Sequence, residues 1–106
     1  MNKTKQKRLE AAGWKVGSAK ELLGLSEQEA ALIEMRLALA ESLKKRRVAR
    51  HLSQEQFAQE IGSSQSRVAK MESADPSVTI DLLLRSLLAL GVSRRVLAGI
   101  LAKPAA

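Results

Sequence analysis

The chain has 106 residues, enough for one domain with a small core, and contains no cysteine, which excludes disulfides and thiolate metal sites. Its formal net charge of +7 points to an acidic partner, while Trp14 and Phe57 as sole aromatics argue against base-stacking single-strand or RNA modules and favour duplex DNA. No apolar run approaches the roughly 20 residues of a bilayer span and no apolar core follows the basic N-terminus, so no membrane association or signal peptide is expected, and a reducing cytoplasm fits best.

Residues 1 to about 13 carry Lys3, Lys5, Lys7 and Arg8 and show no apolar period, the pattern of a basic tail. Ser18 and Glu21 then form a capping box for a short helix through Leu22 and Leu23 that stops at Gly24. Ser26 and Glu29 form a second box, opening a long helix over about Glu27–Arg50. Two apolar series run along it, Leu32, Leu39 and Leu43 on one line and Ala30, Ile33, Leu37 and Ala40 on another. Such a stripe is wider than one packing partner requires. The second series either packs on the Leu22–Leu23 helix or forms a partner-binding surface. Lys44, Lys45, Arg46, Arg47 and Arg50 make a basic cluster at its end.

Next comes Leu52–Glu72, read as two capped helices joined by a glycine turn. Ser53 and Gln56 make a capping box, Phe57, Ala58 and Ile61 share a face, Gly62 ends the helix, and the Ser63–Ser64 pair supplies the next cap. Val68 and Met71 point inward, leaving Gln65, Ser66, Arg67 and Lys70 outward, where amide, hydroxyl and cationic groups can meet base edges and phosphates in a major groove about 12 Å wide. Pro76 marks a loop. Thr79 caps a helix with Ile80, Leu83, Leu84, Leu87 and Leu88, Gly91 closes it, and Ser93 opens a last helix with Val96, Leu97, Ile100 and Leu101. With no strand-period alternation, the chain reads as all-α.

Enzyme chemistry finds little to work with. His51, the single histidine, stands where a C-terminal cap or a phosphate neighbour is expected, and Glu21, Glu29, Glu55 and Glu60 occupy caps or solvated faces. The glycines at 13, 17, 24, 62, 91 and 99 end helices rather than cluster into a phosphate-cradling loop. No cofactor and no metal is expected.

From Leu39 to Leu101 the sequence resembles the XRE family, the Cro and phage-repressor type of helix-turn-helix. The matching residues are Leu52-Ser53-Gln54, Phe57-Ala58, Ile61-Gly62, Ser64-Gln65-Ser66, Val68, Met71-Glu72 and Leu90-Gly91-Val92-Ser93. The resemblance implies a lambda-repressor-like five-helix domain, here over residues 26–106, with an N-terminal helical extension over 1–25. It implies base contacts from Gln65, Ser66 and Lys70, with Lys70 open to a phosphate role instead. Phosphate contacts would come from Gln54, Ser64, Arg67, Arg47 and Ser73, and Arg47 with Glu72 would form a structural brace. It further implies a homodimer on a palindromic operator, joined through Val96, Leu97, Ile100 and Leu101 unless these only close the monomer's own core.

Gly13–Ser26, followed by Ala31–Leu37, is similar to the leader of XRE-family antitoxins paired with RelE/HigB-like ribonuclease toxins. That resemblance implies a repressor of its own operon that also holds a toxin, with Trp14, Leu22 and Leu23 as candidate toxin contacts. A toxin of this class is basic, so Glu21, Glu27, Glu29 and Glu34 would have to face it. The alternatives are a stand-alone phage-like or metabolic repressor, and a helical protein-interaction module without a DNA site.

Overall fold

The computed structural model describes residues 24–102, all-helical and with no strand among them. The helices are α1 (Glu27–Ala49), α2 (Gln54–Ile61), α3 (Gln65–Glu72), α4 (Ile80–Ala89) and α5 (Arg94–Ala102). The expected Ser18–Glu21 box, the Leu22–Leu23 helix, Trp14 and the basic tail lie outside the described residues. The chain divides between Met35 and Arg36 into two compact units, the second extending to Lys103.

Each helix start is written locally, three residues apart. In the first unit the Ser26 hydroxyl accepts the Glu29 N–H at 3.1 Å, and the Glu29 carboxylate accepts the Ser26 N–H at 2.9 Å. The same unit buries Ala30 and leaves Leu32 exposed. In the second unit Ser53 and Gln56 form a reciprocal capping box, while Ser64, Thr79 and Ser93 accept from Arg67, Leu82 and Val96. These side chains occupy donors that the helical ladder leaves orphaned.

The ends of α1 to α4 share one solution. At α1, Leu52 N–H reaches the Arg47 carbonyl and His51 N–H the Val48 carbonyl, the crossed pair of a Schellman motif. That geometry requires a left-handed residue, and His51 takes it at φ 59°. The same crossed bonds end α2 at Gly62, α3 at Ala74 (φ 58°) and α4 at Gly91. Glycine bears this conformation freely. His51 and Ala74 do not, because Cβ crowds the following carbonyl. Past α3, the Asp75 carboxylate accepts the Ser77 N–H at 2.8 Å, and bonding to Ser77 lowers its pKa below the usual aspartate value.

One core serves the second unit. Leu39 and Leu43 from α1, Phe57 from α2, Val68 and Met71 from α3, and Leu83 and Leu87 from α4 are fully buried, with Val78, Val92 and Leu97 beside them. Ile61, Ile80, Leu84, Ile100 and Leu101 pack partly against this cluster, whereas Leu37, Leu88 and Val96 stay exposed. Burying each large side chain contributes about 1.5–3 kcal/mol, so this cluster and not helix propensity holds the eight-residue α2 and α3, which are too short to persist alone. Inside the core, Ser86 is 3% exposed and its hydroxyl donates to the Met71 sulfur at 3.3 Å.

Candidate nucleic-acid interface

The short turn from Gly62 to Ser64 sets α3 against α2, with Val68 and Met71 inward and Gln65, Ser66, Arg67 and Lys70 exposed along the opposite side. Four polar groups on eight residues form a continuous outer strip. Ser64 is occupied as the cap and lies 3.3 Å from the Ser66 hydroxyl, and Ser73 closes the other end by donating to the Lys70 carbonyl.

Behind the strip runs a connected chain of side chains. Arg47 Nε donates to Glu72 Oε2 at 2.5 Å and its Nη2 to Oε1 at 3.1 Å, a two-pronged pair whose side chains are only 11% and 4% exposed. A third guanidinium N–H bonds the Leu52 carbonyl at 2.6 Å, tying the pair to the backbone after α1. The Glu72 hydrogen bond, more than its charge alone, raises the Arg47 pKa above its already high ordinary value, so the guanidinium keeps its charge. Gln54 Nε2 then donates to Glu72 at 3.0 Å, and Gln54 Oε1 accepts from Gln65 Nε2 at 2.6 Å. The first residue of α3 is thereby positioned by the first residue of α2 and the last residue of α3.

Beside the strip lies an open groove of about 520 Å³. Ser64, Ser66, Arg67 and Lys70 line it from α3 and its cap, and Ser77, Thr79, Leu82 and Arg85 from the loop after α3 and from α4. Arg85 pairs with Asp81 at 2.9 Å, but both side chains are more than 70% exposed, so the pair adds little stability. Sequence reasoning used Thr79 only as a cap and missed Ser77 and Arg85 as groove residues. Their signal was weak, because nothing local says that the loop after α3 folds back beside it. Among the described residues no group of acids and histidines could hold a metal, and no helix is long and apolar enough to cross a membrane.

The helix-turn-helix family matches residues 43–100, more than half of the chain. The chain belongs to that family. No curated protein and no solved structure matches it. As a helix-turn-helix protein of the XRE type, it is a regulator of transcription that binds double-stranded DNA, and the match spans the whole Gln54–Glu72 arrangement.

Of the other residues considered at the sequence level, Val96 is 38% exposed, Ile100 and Leu101 are partly buried, and Leu97 lies in the core at 8%. Trp14, Leu22 and Leu23 fall outside the described residues.

Proposed function

We propose that this helix-turn-helix protein is a sequence-specific, dimeric repressor whose α3 enters the major groove, and that it is the antitoxin of a RelE/HigB-like pair. The observation that carries the DNA reading is the Gln65–Gln54–Glu72–Arg47 chain of hydrogen bonds, which holds a base-reading amide in place before DNA arrives. A preset amide loses less freedom on binding, and a bidentate bond to adenine N6/N7 discriminates by about 1–3 kcal/mol.

Ser66 and Lys70 complete base contact, and Gln54, Ser64, Arg67 and Ser73 meet phosphates on either side. Arg47 has a narrower opening to phosphate, since three of the five guanidinium N–H groups are already engaged. Dimerisation runs through Val96 with the accessible parts of Ile100 and Leu101, matching a twofold operator. Leu97 supports that patch from within the core.

The antitoxin reading rests on the leader-like Gly13–Ser26 sequence and divides the chain into a partner-binding extension over 1–25 and a DNA-binding domain over 26–106. The test is affinity purification of the tagged full chain from its host, with retained protein and retained DNA both identified. A basic ribonuclease with its own promoter supports the reading; promoter DNA without a protein partner points to a stand-alone repressor. Deleting residues 1–25 is expected to abolish toxin retention and spare DNA binding, and the reverse result sinks this division.

A further inference from the structure

The family match begins at residue 43, whereas α1 begins at Glu27, so much of that helix is additional to the matched domain. Within the additional stretch, Arg36 is half-buried and its Nε donates to the Val78 carbonyl at 3.3 Å, spanning 42 positions of sequence. Val78 is the buried anchor of the loop after α3: its side chain sits in the core and its N–H bonds the Asp75 carbonyl at 3.0 Å. Its two neighbours face the other way. Ser77 and Thr79 are exposed and line the same groove as Ser64, Ser66, Arg67 and Lys70.

We propose that Arg36 is a positioning residue for DNA binding, holding Val78 so that the loop presents Ser77 and Thr79 to the DNA backbone as a second wall beside α3. The inference rests on the reading that the outer strip of α3 meets DNA. A carbonyl just ahead of a helix cap has no place in the helical ladder, and a guanidinium donor fixes it with a charge-assisted bond. Hydroxyls and three cations around one groove suit phosphate oxygens, and two such walls fix register while α3 reads bases. Arg36 itself is turned to the protein, so its contribution passes through loop geometry and not through its charge.

The test compares the full-length wild type with Arg36→Ala, Arg36→Gln, Ser77→Ala and Gln65→Ala on a duplex selected from a random pool by the wild type. Arg36→Ala is expected to weaken binding about fivefold, since one fixed hydrogen bond is lost, with the salt slope unchanged. Ethylation interference is expected to disappear at the same phosphates in Arg36→Ala and Ser77→Ala. Arg36→Gln, which keeps an N–H donor without charge, restores affinity to within about twofold. A salt slope shallower by about 0.9 without rescue by Gln makes Arg36 a phosphate ligand itself and overturns the proposal. Unchanged affinity, or a loss shared evenly by all phosphates and matched by a fall in Tm, overturns it too. If Gln65→Ala also binds like the wild type, the α3 reading fails; if Gln65→Ala weakens binding while Arg36→Ala does not, only the present inference fails.

Discussion

Gln54 and Gln65, eleven positions apart, are joined by a 2.6 Å hydrogen bond in which the Gln65 amide donates to the Gln54 carbonyl oxygen. One N–H of the Gln54 amide is in turn given to Glu72, so its flip state is set and the Gln65 amide has one preferred direction.

Gln54→Ala is therefore expected to damage recognition more than folding. The exposed bond contributes about 0.5–1.5 kcal/mol to stability. Affinity for a selected duplex should fall about tenfold, with discrimination lost mainly at the base pair facing Gln65. Fluorescence anisotropy on single-base variants of the duplex checks this. An even loss at every base position would mean that Gln54 is only a phosphate anchor.

Breaking the Arg47–Glu72 brace from one side leaves a nearly buried charge without its partner. Arg47→Met or Glu72→Leu alone should each cost about 3 kcal/mol, whereas the double variant should be much less destabilised than the sum, because both charges leave together. Urea denaturation of the four proteins measures the coupling; additive losses would contradict it. The raised Arg47 pKa gives the pH sign: its contribution is complete below the unfolded value and is lost only as pH rises through the still higher folded value. The difference between wild type and Arg47→Met should thus stay flat from about pH 7 to 10.

His51 and Ala74 hold left-handed conformations at φ 59° and 58° that a Cβ disfavours by roughly 1–2 kcal/mol. Replacing either with glycine relieves that strain but adds freedom to the unfolded chain, for a net gain of about 0.5–1 kcal/mol. Gly62→Ala should be destabilising by a similar amount at the same kind of position. Denaturation midpoints that fall for His51→Gly or Ala74→Gly would show that their side chains contribute more than their backbones cost.

Ser86 hides a hydroxyl whose partner is a thioether, a weak acceptor. Ser86→Ala removes the desolvated polar group with little change of volume and should leave stability unchanged or raise it by up to about 1 kcal/mol. Leu87→Ala next to it should cost about 2–5 kcal/mol, as a cavity-forming change. Calorimetry of the two variants separates a polar liability from a packing position; a loss above about 1 kcal/mol for Ser86→Ala would show that the sulfur contact matters.

In oligomerisation, Val96→Glu puts a charge on the exposed apolar edge of α5 while sparing the core position Leu97. The variant should stay folded, sediment as a monomer and bind a palindromic duplex at least tenfold more weakly than the wild type, because two half-sites are no longer engaged together. Sedimentation velocity that is unchanged by the substitution would overturn the proposed dimerisation through α5.

By itself the sequence determined the helix starts, the inward faces and two of the four left-handed ends. Ser26, Ser53, Ser64, Thr79 and Ser93 bond within one turn of themselves, and Leu39, Leu43, Phe57, Val68, Met71, Leu83 and Leu87 recur at the helical period, so both signals are local. His51 stood in the sequence only as a C-terminal cap or phosphate neighbour, and Ala74 escaped as a left-handed end because alanine avoids that conformation; the crossed backbone bonds impose it on both. The long apolar series on α1 was only partly an inward face, with Leu39 and Ala40 buried and Leu37 exposed, because periodicity places residues on a line without saying where the packing partner stops. Tertiary structure alone decided which polar side chains meet. Arg36 with Val78 and Gln54 with Gln65 depend on how separate elements pack, and Arg47 with Glu72 entered the reading of the sequence only through family resemblance. A hydrogen bond across a fold has no period and no fixed spacing, so it becomes visible when the buried core has set the distances between helices.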